Sequence, residues 1–329
     1  VIRLKALAPL AHAEDPSHAV SLLGGKGDNA EILGREITFQ VIAGSLVFLL
    51  VIGILLAIVV RQRRLPAGGE PPPEDERGHG WIWAGGIAMP LVVISVVAAF
   101  AAVSIHQLAH GDGGKPLTVD VTSQRWFWQA TYAGDNDVTT ANEIVLPVGR
   151  PVLLRLETRD VIHSFWVPEL AQKVDMVPGR RNSLRLSANE PGTYLGRCME
   201  FCGIQHANMR FEVRVLPPAT FDRWLRHAEG PAVPPATPAA HRGEQVFLGS
   251  TCSACHAIEG TPARGSVGPD LTHLAAREMI AAGTVPNTRA NLAGWVSDPH
   301  GIKPGVLMPE GELSGEQLRA LLDYLEGLR

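Results

Sequence analysis

Cys198-Met199-Glu200-Phe201-Cys202-Gly203-Ile204-Gln205-His206-Ala207-Asn208-Met209 is the stretch around which the 329-residue chain is organised. Two thiols, an imidazole and a thioether in one loop are soft or borderline ligands, suited to copper or zinc and poorly suited to calcium or magnesium. Zinc closes a tetrahedron of four donors, whereas a thiolate site with a nearby Met matches copper electron-transfer chemistry, in which the thioether is a weak axial ligand. Two cysteines in place of one let both sulfurs bridge a pair of coppers. Each copper then needs a terminal nitrogen, and His206 supplies one. His163, in Val161-Ile162-His163-Ser164-Phe165-Trp166-Val167-Pro168, is the best second donor. The competing reading is a Cys198–Cys202 disulfide of an exported domain, which leaves His206 and Met209 as packing residues.

The run Cys-x-Glu-x-Cys-x-x-x-His-x-x-Met with an upstream His-Ser-Phe-Trp-Val-Pro resembles the CuA domain of cytochrome c oxidase subunit II. That resemblance implies that Cys198 and Cys202 bridge the coppers, His163 and His206 are terminal ligands, Met209 is axial and Glu200 binds through its backbone carbonyl. It also implies a cupredoxin fold, and a Mg²⁺ shared with oxidase subunit I through the Glu200 carboxylate, since hard oxygen donors suit that ion. Trp126, in Arg125-Trp126-Phe127-Trp128, takes by resemblance the role of the residue where electrons arrive near CuA. Strand alternation alone makes Trp126 and Trp128 sandwich core, with Phe127 on the opposite face. Asp160 and Asp175 flank the His163 segment and read as solvated loop charges.

Upstream lie two apolar runs. Ile37 to Val60 is interrupted only by Thr38, Gln40 and Ser45 among polar residues, and Trp81 to Ile105 only by Ser95 and Ser104. Each exceeds the roughly 20 residues that cross a bilayer core of about 30 Å, and neither has the charged face of a helix lying on a soluble core. Two transmembrane helices are predicted, over 37–60 and 81–105. Arg61-Gln62-Arg63-Arg64 between them belongs on the cytoplasmic side, which sends both termini outward. Trp81 and Trp83 suit an interfacial anchor. Pro71-Pro72-Pro73-Glu74-Asp75-Glu76 reads as a solvated connector, and Ala11-His12-Ala13 suits a signal-peptidase site or a structured arm. Subunit II commonly carries a Glu at the start of the second span. Here that region reads His79-Gly80-Trp81-Ile82-Trp83, so no proton role is carried over.

Beyond the spans the pattern turns to short alternating segments: Leu117, Val119 and Val121; Glu143 to Leu146; Val152 to Leu156; Phe211, Val213 and Val215. Bounded by Pro and Gly turns, they predict an all-β sandwich. Pro231, Pro234, Pro235 and Pro238 then mark a linker that, fully extended at about 3.1 Å per residue, reaches on the order of 40 Å.

Cys252-Ser253-Ala254-Cys255-His256 is the signature of c-type haem attachment, with zinc or redox Cys-x-x-Cys as competing readings. The following Gly268-Pro269-Asp270-Leu271 resembles the class I cytochrome c loop whose Pro269 carbonyl orients the axial His256. Lys303-Pro304-Gly305-Val306-Leu307-Met308-Pro309 resembles the distal region, which makes Met308 the sixth ligand and Met279 its competitor. His with Met raises the haem potential and closes both axial positions, suiting electron transfer. Ser314-x-x-Gln317 ahead of Leu318, Leu321, Leu322 and Leu325 predicts a capped amphipathic helix, to be packed on a helix around 243–249.

The expected architecture is a multidomain membrane protein: an arm (1–36), a two-helix transmembrane hairpin (37–110), an all-β cupredoxin CuA domain (111–227), a Pro-rich linker (228–240) and an all-α class I cytochrome c domain (241–329). It resembles subunit II of a haem-copper oxidase fused to its own cytochrome c. The implied cofactors are binuclear copper (CuA) and covalent haem c, and the implied partners are subunit I, other oxidase subunits, membrane lipid and a donor cytochrome or respiratory complex. Electrons would pass from haem c to CuA and on to subunit I, in a bacterial cell membrane with the redox domains outside. A nitric oxide reductase subunit, or a stand-alone tethered electron carrier, is the alternative. A net charge of −4 points to no nucleic-acid partner. Residues 241–329 hold seven Glu and three Asp against seven Lys or Arg, a mildly acidic surface that suits a basic or membrane-bound donor.

Overall fold

The computed structural model describes residues 24–64, 77–110, 114–134 and 137–329, so the connector at 71–76 and the Ala11-His12-Ala13 segment lie outside the described residues. Helix α1 runs Asp28–Arg63, 36 residues, or about 54 Å at 1.5 Å per residue. It starts nine residues ahead of the apolar run, with Asp28 and Glu31 in the first turn, where carboxylates complement the helix dipole. The second span comprises α2 (Arg77–Trp83), a π-helical stretch Ala84–Ala88 and α3 (Met89–His110). Pro90 explains the π stretch: lacking an N–H and crowding the carbonyl four residues back, it opens the helix one turn earlier. Both spans are longer than their apolar runs, because polar turns extend each helix outward. Between them Phe39 stacks on Phe100 at 4.3 Å, and the Ser104 hydroxyl donates to Glu36 at 2.8 Å. The apolar side chains from Val41 to Val60 are mostly exposed, as lipid-facing residues of a hairpin must be.

The N-terminal end of α1 is clasped to the β-domain. Lys26 N–H donates to Glu169 O, Asp28 N–H to Ser187 O and Asn189 N–H to Lys26 O. The buried Asn29 amide donates to Gln172 Oε1 and Arg185 O. Residues 24–36 therefore join hairpin and β-domain and do not form a separate arm.

Two five-stranded sheets make the sandwich. The strands are β1 (Leu117–Gln124), β2 (Phe127–Tyr132), β3 (Val138–Ala141), β4 (Glu143–Pro147), β5 (Val152–Thr158), β6 (His163–Trp166), β7 (Val174–Met176), β8 (Asn182–Leu186), β9 (Gly192–Cys198) and β10 (Arg210–Leu216). One sheet has the order β3-β2-β1-β5-β8 and the other β4-β10-β9-β6-β7. Pairs β1–β5 and β4–β10 are parallel and the others antiparallel. Val119, Val121, Val213 and Val215 point inward as alternation requires, around the packed rings of Trp128, Phe165 and Phe211. The Tyr132 hydroxyl crosses between sheets, donating to Val145 O at 3.0 Å and accepting from Val145 N at 2.6 Å. Burial raises its pKa. Tyr132→Phe strands the Val145 groups in an apolar interior, and we expect it to destabilise the sandwich by about 1–3 kcal/mol, read as a lowered unfolding midpoint in detergent.

A helix absent from the sequence reading follows: α4, Pro218–Ala228. The Pro-rich segment after it is not a free spacer. Ala232 N–H donates to Glu259 O, His273 Nε2 donates to Ala228 O, and α5 (Pro238–Leu248) already begins inside the predicted linker. The last domain continues with α6 (Cys252–Cys255), the short ladder β11 (Met279–Ile280) with β12 (Val285–Pro286), α7 (Arg289–Ser297), α8 (Pro299–Ile302) and α9 (Gly315–Leu325). Helix α9 carries the capping box Ser314/Gln317 and buries Leu321, Leu322 and Leu325. It crosses α5 at Gly243, where a Cβ would lie 2.0 Å from Ala320 O. Only glycine permits that approach.

Candidate copper and haem sites

Neighbouring strands bring the copper-type donors together. His163 opens β6, Cys198 closes β9, and the two strands pair with Phe165 opposite Cys198. The loop 199–209 is shut at its base by Cys198 N–H to Met209 O, and Met199 N–H donates to Ser164 O. Cys198 Sγ lies 3.8 Å from Cys202 Sγ, 3.7 Å from His163 Nδ1 and 3.2 Å from Glu200 O. Cys202 Sγ lies 3.6 Å from His206 Nδ1 and 3.8 Å from Met209 Sδ. His163, both cysteines and Met209 are buried. His163 and the two thiols thus form one compact group, their donor atoms within 4.8 Å of one another, and His206 and Met209 adjoin it through Cys202.

Both cysteines are free, and their separation is far beyond the roughly 2.05 Å of a disulfide. A metal at about 2.3 Å from each sulfur would subtend roughly 110°. The donor set therefore fits a shared thiolate-bound metal.

Electrostatics prepare the thiols for that role. A hydrogen bond from Cys202 holds the Cys198 thiol far below its usual range against the effect of burial, helped by His163 and the Glu200 backbone, while Cys202 is pushed up.

Asp160 is the residue that sequence reading misplaced. It is not a solvated charge: its carboxylate accepts from His163 Nε2 (2.9 Å), Val161 N (2.7 Å), Arg125 N (2.8 Å) and Arg125 Nε (3.1 Å). Burial raises its pKa, but these donors outweigh burial and hold it below the ordinary carboxylate value. The ionised carboxylate fixes the His163 tautomer and leaves Nδ1 free toward Cys198. A carboxylate three residues ahead of a ligand-type His, across a tight turn, was the available signal. Asp175 accepts instead from Ser164 Oγ and pairs with Lys173. The Glu200 carboxylate is half-exposed, 3.7 Å from Lys173 Nζ.

Trp126 precedes β2 and is buried, its indole N–H donating to Cys202 O at 2.9 Å. Gly203 makes room for the ring: its φ is +114°, and a Cβ there would lie 2.9 Å from Trp126 Cζ2. Trp128, two residues on, belongs to the core.

In the helical domain, Cys252 and Cys255 end the single turn α6. His256 Nδ1 donates to Pro269 O at 2.7 Å, leaving Nε2 unclaimed, and burial lowers the pKa of the ring. A neutral imidazole with one nitrogen fixed fits an axial iron ligand. Met308 is half-buried in the loop between α8 and α9, while Met279 pairs with Pro286 in the β11–β12 ladder.

Residues 136–216 match the family "Cytochrome C oxidase subunit II, periplasmic domain" and residues 240–329 the family "Cytochrome c". Cytochrome c oxidase subunit 2 of Alkalihalophilus pseudofirmus is 32% identical over 318 residues, 94% of this chain and 91% of that protein. The subunit of the same name from Bacillus sp. PS3 is 35% identical over 207 residues, 59% of this chain and 58% of the relative. The solved periplasmic domain of subunit II of cytochrome oxidase of Bradyrhizobium japonicum is 29% identical, covers 36% of this chain and 96% of its own, and has a TM-score of 0.34.

Proposed function

Because the chain belongs to the cytochrome c oxidase subunit II family, and so to an oxidoreductase complex of a membrane, we propose that it is the electron-accepting subunit of a terminal oxidase carrying its own haem c. The observation that supports this most is the buried group of His163, Cys198 and Cys202, whose donor atoms lie within 4.8 Å of one another, with His206 and Met209 adjoining Cys202. Cys198 and Cys202 hold a binuclear CuA centre, with His163, His206, Met209 and the Glu200 carbonyl completing it. Cys252 and Cys255 would attach haem c, with His256 and Met308 as the residues that would hold its iron and Pro269 orienting the imidazole. When bound, these groups supply one-electron chemistry, passing electrons from haem c to CuA and on to subunit I, where oxygen is reduced to water with proton translocation.

The protein's own contribution is rigidity. Asp160 anchors His163, strand pairing anchors Cys198, and the base of the loop is closed at Met209, so donors barely move when the charge on the centre changes. Trp126 lies against the loop as the point where electrons arrive. The half-exposed Glu200 carboxylate serves a Mg²⁺ shared with subunit I. The Arg61–Arg64 cluster faces the cytoplasm, which puts both redox domains outside the cell membrane. The mildly acidic haem domain receives electrons from a cytochrome or respiratory complex.

Metal and haem analysis of the full chain in detergent, with EPR of the oxidised form, tests this reading. The expected result is two coppers per covalent haem, with hyperfine structure from one electron shared over both. One copper, zinc, or none overturns it.

A further inference from the structure

Lys303 is 1% exposed, and its Nζ donates three hydrogen bonds: to Trp126 O at 3.1 Å, to Asn208 O at 2.7 Å and to Ala281 O at 3.0 Å. An ammonium has three N–H donors, and all are used. Two acceptors belong to the sandwich, one of them in the copper-type loop, and the third to the helical domain. Burying a charge is unfavourable unless it is fully hydrogen-bonded, so a lysine placed here holds its surroundings closed around it. Burial pulls its pKa down to about 7, opposed by charge at Cys202.

Other contacts surround this one. Gln205 Nε2 donates to Pro304 O at 2.9 Å, Gln124 Nε2 to Val267 O at 2.8 Å and Arg159 Nη1 to Ser266 O at 3.3 Å. Arg210 N–H donates to Ala282 O at 3.3 Å. Gly305 lies so close to Ile204 that a Cβ would meet its Cδ1 at 2.6 Å, and Val306 packs on the sandwich core. The loops involved are 265–268, where Gly268 abuts the His256 ring, and 303–306, which leads into Met308. The helical domain is therefore seated on the copper-type loop by the face that carries its own ligand loops.

Building on the function proposed above, we propose that Lys303 is a latch that keeps the haem domain seated on the copper loop as its resting position, covering Trp126 so that outside electrons reach copper only through the haem domain. Lys303 is a positioning residue: it touches neither sulfur nor imidazole. The step it serves balances simply, the ferrous haem losing one electron and the oxidised copper pair gaining it.

The test uses the full chain in detergent with haem and copper loaded. Lys303→Met keeps the unbranched stem, one atom shorter, and removes its donors. Gln124→Ala with Arg159→Ala loosens the opposite rim through exposed side chains. Hydrogen exchange at 203–210 and 265–268 is expected to rise about tenfold or more in Lys303→Met and about twofold in the double variant. Haem-to-copper transfer after rapid haem reduction is expected to slow about tenfold in Lys303→Met, while a soluble reductant gains direct access to copper. Haem spectrum and copper EPR stay those of the parent, a readout that tests the cofactor assignment separately, and exchange reports the seating whatever the loops bind. Unchanged exchange or an unchanged transfer rate in Lys303→Met overturns the latch. Should that variant lose its haem, the double variant decides by the same two readouts.

Discussion

Cys202→Ser is expected to take copper from about two per haem to about one or none and to abolish the shared-electron EPR signal, while leaving haem c in place. Cys202 stands at the centre of the cluster: its sulfur lies 3.8 Å from Cys198 Sγ, 3.6 Å from His206 Nδ1 and 3.8 Å from Met209 Sδ. A serine hydroxyl is a hard donor that holds its proton, so it bridges no copper pair. Oxidase turnover should fall to background with the haem still reducible. Retention of both coppers in this variant would refute the bridging role. The loop stays closed at its base by the Cys198–Met209 backbone bond, so loss of copper reports ligation and not unfolding.

Met308→Leu is expected to open the sixth position of the haem, so that the ferrous form binds carbon monoxide. Its potential should fall by on the order of 100 mV, a shift of roughly fifty-fold in the one-electron equilibrium. Met279→Leu should do neither. Sequence left these two methionines in competition, and their settings differ: Met279 is held in a two-stranded ladder opposite Pro286, whereas Met308 sits in a loop with no ladder partner, between the latch residue and the capped helix α9. A fall in potential in Met279→Leu, with Met308→Leu silent, reverses the assignment. Carbon monoxide difference spectra and a redox titration of the two variants measure both effects.

Much of this was legible before any coordinates, for identifiable reasons. Thiolate, imidazole and thioether spacing is local, so the 198–209 loop announced its chemistry. Hydropathy is local too, and the two spans stood out, though not their polar extensions, because a helix continues past its apolar stretch wherever caps and tertiary contacts support it. The strands were visible by alternation, but the pairing of β6 with β9, which brings His163 beside Cys198, is a long-range fact. Asp160 escaped because a carboxylate in a turn reads as solvated until its four donors are seen. Lys303 was hidden more deeply. A lysine in a Pro-Gly loop looks like surface, and its burial depends on a domain whose position no local pattern encodes.

The clasp at Lys26 to Asn29 gives the first span a second role. With the top of α1 tied to the β8 edge by backbone and amide bonds, the sandwich has no flexible neck on that side and leans with the helix. Tilt of a span responds to the thickness of the bilayer around it. Because the two are joined without slack, any change in the tilt of α1 carries over to the orientation of the sandwich and of the loop it holds.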